Sequence, residues 1–203
     1  MLRLRPGMVT FAGLLFSAAV PVPVVFGGAW LFLAAGLVFL AALADSADGA
    51  LAVLTERASR VGSFYDSMAD RLAEVGWLVG LWLIGVPAAL VVATGALAWL
   101  HEYARARAGA VGMRGVGVIT MAERPTRVMI AIAAFAVGGG VWYVDPHLTP
   151  GAATVLVAAW LVLGLLGLSR LVGAIRDDLA RTDLLGDDLR GQSHHGQSST
   201  RMG

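Results

Sequence analysis

Six long apolar runs, at 8–26, 28–44, 62–84, 87–100, 128–144 and 151–168, constrain this chain more than any other feature. A helix crosses the roughly 30 Å hydrocarbon core of a bilayer in about 20 residues, with a range of about 17–25. No water reaches the backbone in that layer, so a spanning segment must close its own hydrogen bonds as a helix. The runs therefore predict an all-α integral membrane protein with six transmembrane helices. They take up most of a 203-residue chain that is 58% hydrophobic and 14% charged. That leaves no room for a second soluble domain.

The basic residues orient the runs. All are arginine, since the chain has no lysine. Arg3 and Arg5 precede the first run, and Arg57, Arg60 and Arg71 surround the junction of the second and third. Arg105, Arg107, Arg114, Arg124 and Arg127 fill the junction of the fourth and fifth, and Arg170, Arg176, Arg181, Arg190 and Arg201 follow the sixth. The alternate connections, at 27–28, 85–86 and 145–150, carry none. By the positive-inside rule both termini should be cytoplasmic. Reading the first run as a cleaved signal peptide, with Arg3 and Arg5 before it and Ser17-Ala18-Ala19 near its end, would leave an odd number of spans and spoil this asymmetry. The absence of cysteine excludes disulfides, thiolate zinc sites and a cysteine nucleophile.

Local punctuation refines the layout. Pro21 and Pro23 predict a kink or an early end to the first helix. No turn signal follows the second run, so its helix should continue past Asp45 into the cytoplasm. The third helix should begin there too, with Asp66 and Asp70 in its opening turns. Four glycines (Gly109, Gly112, Gly115, Gly117) mark a cytoplasmic loop whose spacing fits no phosphate-binding fingerprint. Gly138-Gly139-Gly140 reads as a close-packing surface within the fifth span. The membrane domain is expected over 1–176, with a polar, disordered tail over 177–203. His194 and His195 belong to that tail rather than to a metal site.

Four aspartates bracket the junction of the second and third spans. Residues three or four apart on a helix share a face, so Asp45 projects with Asp48 and Asp66 with Asp70. A short link between antiparallel helices would gather all four at the membrane surface. Carboxylates so close repel one another, more strongly beside a low-dielectric wall. Two hard divalent cations would balance four such charges, and metal pairs of this kind clamp phosphoryl oxygens. Small residues near the same faces (Gly49, Ala52 and Gly62) let a bulky ligand approach the backbone. The bland alternative is a solvated hairpin whose aspartates pair with Arg57, Arg60 and Arg71.

The combined spacing resembles the CDP-alcohol phosphatidyltransferase family, whose signature is D-x2-D-G-x2-A-R-x8-G-x3-D-x3-D. Asp45, Asp48, Gly49, Ala52, Gly62, Asp66 and Asp70 stand at seven of its eight fixed positions. Val53 occupies the eighth, where the family has arginine; Arg57, one turn on, could reach the same face. The resemblance implies that Asp45, Asp48, Asp66 and Asp70 hold two ions, Mg2+ or Mn2+, and that Asp70 is also the catalytic base. It implies a nucleotide site at Gly49, Ala52 and Gly62, with Arg57 assisting. The substrates would be CDP-diacylglycerol and a small alcohol, with CMP released.

His101-Glu102-Tyr103-Ala104-Arg105-Ala106-Arg107 and Glu123-Arg124-Pro125-Thr126-Arg127 resemble stretches in the bacterial branches that make phosphatidylglycerol phosphate or phosphatidylinositol phosphate. Arg105, Arg107, Arg124 and Arg127 would then bind an acceptor carrying its own phosphate, glycerol 3-phosphate or inositol phosphate, through paired donors. Arginines at a cytoplasmic helix end also satisfy topology and anionic lipid headgroups alone. A transporter is the rival from another class, but its charges belong near the bilayer midplane, whereas these aspartates lie at the ends of apolar runs. A catalytically weak relative of the family is the other. The expected setting is a multi-pass protein of an inner or plasma membrane, its site on the cytoplasmic face. The lipid substrate is one partner and a homodimer is permitted, with no nucleic acid.

Overall fold

The computed structural model describes the backbone of residues 6–54, 60–113 and 123–199, and the side chains of 7–51, 61–113 and 125–181. Its helices are α1 (Pro6–Ala19), α2 (Pro21–Val24), α3 (Trp30–Leu54), α4 (Arg60–Ile84), α5 (Ala88–Ala110), α6 (Glu123–Trp142) and α7 (Thr149–Ser199), with a 3₁₀ turn at Pro146–Leu148 before the last. No strand occurs among the described residues.

The prolines kink the first run rather than end it. Val20 and Val25, on either side of α2, both keep right-handed helical angles, so the chain direction is only bent. Gly27 and Gly28 then turn the chain at φ 65° and 55°, a region that favours glycine. The indole of Trp142, at the end of α6, lies against this turn: a Cβ at position 27 would sit 2.8 Å from it. α3 runs unbroken through Asp45 and Asp48, as expected. Its 25 residues make about 37 Å of helix, more than the hydrocarbon core requires.

Four stretches are long and apolar enough to cross a membrane: Gly7–Val24, Trp30–Leu51, Pro125–Trp142 and Pro146–Arg181. α4 and α5 correspond to the other two runs but are charged over part of their length. Asp66, Asp70, Arg71 and Glu74 lie between positions 66 and 74 of α4, and His101, Glu102, Arg105 and Arg107 between positions 101 and 107 of α5. The last helix continues to Ser199, with no proline after Pro150 to stop it.

α1 packs against both α3 and α4, α3 against α6, and α7 against α5 and α6. The contact faces are rich in small residues; Ala34, Ala131, Ala134 and Ala153 are fully buried around Phe135, Leu31 and Leu81. Lipid is as apolar as leucine, so burial gives little drive to bring helices together; close van der Waals contact must supply it. Gly76 is the extreme case, since a Cβ there would lie 2.3 Å from the Ser17 carbonyl oxygen of α1. Gly139 lies against Leu31 and Phe32 and Gly138 against Thr149 and Leu31, so that glycine run is a packing surface, although Gly140 meets nothing. The outside of the bundle is lined with exposed Phe11, Leu15, Phe32, Leu33, Val155 and Leu166. Such a surface suits an apolar solvent, and the chain is a membrane protein.

Candidate active site

α3 and α4 bring three of the four aspartates together, Asp45, Asp66 and Asp70, but not as a direct hairpin. The two helices touch sparingly because α1 is packed against both. Gly13 lets α1 approach α3, where a Cβ would meet the Ala41 carbonyl and Ala44 at 3.4 Å, and Gly76 does the same between α1 and α4. Asp66 and Asp70 come together by helical spacing; their approach to Asp45 is set by a third helix.

Oxygens of Asp45, Asp66 and Asp70 all lie within 4.8 Å of one another, each side chain half-buried. Asp48, expected as the fourth member, is not among the three that converge; it lies one turn on from Asp45 along α3 in a different environment. It is 7% exposed, its Oδ2 accepts a hydrogen bond from the Thr10 hydroxyl of α1, and its Oδ1 is buried with no hydrogen-bond partner among the described residues. An all-oxygen, all-anionic donor set, with one buried carboxylate oxygen unsatisfied, fits a hard divalent cation.

Below the triad a cavity of about 330 Å³ opens between α1, α3, α4 and α6. Asp45 and Asp70 are at its polar end; Leu14, Ala73, Trp77 and Ile132 line its depth. The Trp77 indole nitrogen donates to the Ser17 hydroxyl at 3.0 Å and so leaves no polar group bare there. Phe39, Leu43 and Met129 line the same cavity and are also exposed, so it reaches the apolar outer surface. Gly49 faces open space, with nothing within 4 Å of a Cβ built on it, and Gly62 is exposed near the start of α4. Ala52 lies on α3 with its side chain outside the described set. Arg57, and with it the test of its reach towards the Val53 face, lies outside the described residues.

Beside Asp70 lies an ion network that spacing did not suggest. Glu74 is bonded by Arg71 at 3.0 Å and paired with Arg127 at 2.9 Å. Glu102 receives Arg105 at 3.1 Å and Arg127 at 3.3 Å, with Arg71 3.7 Å away. Three guanidiniums and two carboxylates thus tie α4, α5 and α6 together. Arg71 therefore bonds a glutamate of its own helix, rather than serving only the aspartates. Of the four arginines expected at an acceptor site, Arg105 and Arg127 are in this network and Arg107 is exposed on α5. Arg124 begins α6 with its side chain outside the described set.

Glu74, Glu102 and Thr10 were not singled out from the sequence. A signal existed for Glu74, because a carboxylate inside an apolar run is costly unless paired. Thr10 gave none: a hydroxyl in a first helix is unremarkable until that helix is seen against Asp48. His101 is buried, its Nε2 2.8 Å from the Gly164 carbonyl, and joins α5 to α7.

The family model for CDP-alcohol phosphatidyltransferase matches residues 3–175. Among individual proteins, the chain is 32% identical over 111 residues to an archaetidylinositol phosphate synthase of Aeropyrum pernix, covering 52% of this chain and 57% of that one. A Pyrococcus horikoshii protein of the same name is 36% identical over 102 residues, covering 49% and 54%. A phosphatidylinositol phosphate synthase of Mycolicibacterium smegmatis is 34% identical over 166 residues, 78% of this chain and 71% of that one. The chain spans a little over half the length of the two archaeal relatives.

Proposed function

Since this chain belongs to the CDP-alcohol phosphatidyltransferase family, we propose that it transfers a phosphatidyl group from CDP-diacylglycerol to a phosphorylated polyol in phospholipid synthesis. The observation that carries this reading is the junction of two unlike environments: three converging carboxylates at the end of an apolar cavity open to the lipid-facing surface. A donor with a diphosphate at one end and acyl chains at the other matches both.

Asp45, Asp48, Asp66 and Asp70 would hold two divalent ions, Mg2+ or Mn2+, which supply charge neutralisation of the donor diphosphate and of the departing CMP. An Asp70 carboxylate oxygen takes the proton of the acceptor hydroxyl. The acceptor oxygen bonds to the phosphorus that carries the diacylglycerol. The bond from that phosphorus to the bridging oxygen breaks, and CMP leaves with the electron pair. Gly49, Ala52 and Gly62 leave room for the nucleotide, with Arg57 in support. The open space at Gly49 favours this, because no packing contact requires glycine there.

Arg105, Arg107, Arg124 and Arg127 form the acceptor side. The names of the relatives favour inositol phosphate over glycerol 3-phosphate as the acceptor. Arginine presents paired donors that match a phosphate, which favours a phosphorylated acceptor. The arginine distribution supports six spans, with both termini and the site on the cytoplasmic face of an inner or plasma membrane. The membrane domain would comprise 1–176, followed by a polar tail over 177–203. Self-association into a homodimer is compatible with the small-residue faces.

The test is CMP release by purified protein given CDP-diacylglycerol, Mg2+ or Mn2+, and a panel of acceptors. Release with inositol phosphate, abolished in Asp66→Asn and Asp70→Asn, is the expected result. Absence of CMP release with every acceptor in the panel would refute the assignment.

A further inference from the structure

We propose that Thr10 is a positioning residue for Asp48, fixing that carboxylate so that its buried Oδ1 faces a cation. The inference rests on the metal reading above and extends it to a helix outside the aspartate motif.

The sequence builds this contact through the α1–α3 register. Those helices run antiparallel, and Gly13 brings α1 against Ala41 and Ala44 of α3. One turn back along α1 is Thr10, and one turn onward along α3 is Asp48. The threonine hydroxyl is thereby placed on the carboxylate and donates to Oδ2. A carboxylate with no fixed donor is free to rotate about its last side-chain bond. One donor on one oxygen, in a side chain that is 7% exposed, holds the plane of the group.

The second observation concerns the other oxygen. Oδ1 is buried and has no hydrogen-bond partner among the described residues. A buried acceptor left unmet costs about 1–3 kcal/mol, and more when charged, so it needs a compensating ligand. Asp45, one turn away on the same helix, converges with Asp66 and Asp70 as an anionic cluster, and no neutral donor relieves a further carboxylate in such surroundings as well as a cation does. Outer partners that orient metal-binding carboxylates and imidazoles commonly change metal affinity by about 10–100-fold when removed.

The experiment measures Mn2+ binding by electron paramagnetic resonance on the purified full chain in detergent, without lipid substrate. Wild type is compared with Thr10→Val, Thr10→Ala and Thr10→Ser, and thermal unfolding is recorded for each. Thr10→Val and Thr10→Ala are expected to weaken Mn2+ about 10–100-fold, while Thr10→Ser, which keeps the hydroxyl, stays near wild type. Turnover should follow suit, with the loss in Thr10→Val largely recovered at high Mn2+. Equal affinity in wild type, Thr10→Val and Thr10→Ala would overturn the role of Thr10 and leave the metal reading standing. Failure of wild type itself to bind Mn2+ would overturn both. If Thr10→Val does not fold, Thr10→Ala against Thr10→Ser gives the same decision.

Discussion

Replacing Glu74 with glutamine removes one charge from the ion network while keeping the side chain's shape. Glu74 is 3% exposed and meets Arg127 at 2.9 Å and Arg71 at 3.0 Å. At an effective dielectric of about 20, each contact carries about 6 kcal/mol of raw attraction. Arginine–arginine repulsion and the desolvation of three buried ions take back most of that gain. The loss on removing one partner is larger than the net worth of the network, because Arg71 and Arg127 stay buried with one carboxylate fewer between them. Breaking buried pairs in this way costs about 3–5 kcal/mol, and we expect Glu74→Gln to fall in that range. The assay is equilibrium unfolding in mixed detergent micelles, with Arg127→Met and the double variant completing a cycle. The double variant should lose less than the two single losses combined, with a coupling of about 1–3 kcal/mol. A loss below about 1 kcal/mol, the size seen for exposed pairs, with no coupling, would refute the reasoning.

Two further substitutions separate packing from ligand space. Gly76→Ala puts a methyl 2.3 Å from a backbone oxygen of α1, and neither helix can yield by turning a side chain. A loss of about 1–3 kcal/mol or more in the same unfolding assay is expected, with reduced turnover because α4 carries Asp66 and Asp70. Gly49→Val should do the reverse. Open space surrounds that position, so unfolding should stay within about 0.5 kcal/mol of wild type while the KM for CDP-diacylglycerol rises at least severalfold; an unchanged KM would remove Gly49 from the nucleotide site.

What was legible in the sequence follows from what a single helix can encode. Spacing within one helix placed Asp66 with Asp70, and the lack of a turn signal carried α3 past the apolar run without a break, but spacing gave no sign that Asp48 would stand apart from the three that converge. The proline pair announced the bend at Val20. None of this says which helix lies next to which. The insertion of α1 beside both α3 and α4 depends on Gly13 and Gly76 finding particular backbones, and Thr10 acquires its partner only through that arrangement. The glutamates were hidden for a related reason: Glu74 meets Arg127 across 53 positions of sequence and two helices. The apolar runs also overstated α4 and α5, whose charged segments are sheltered by each other rather than excluded from the bundle.

The cavity beneath the triad has walls that are themselves part of the lipid-facing surface, at Phe39, Leu43 and Met129. Under the proposed function a lipid donor would therefore have a sideways route to it from within the bilayer leaflet, with no need to pass through water. The quantity that governs occupancy is then the mole fraction of donor among neighbouring lipids, not its amount per volume of solution. Rates measured in micelles should fall as inert detergent is added at constant total donor, which is surface-dilution behaviour. The soluble acceptor, arriving from the aqueous side, should follow ordinary bulk saturation in the same experiment. One enzyme would thus obey two concentration scales, one for each side of its site.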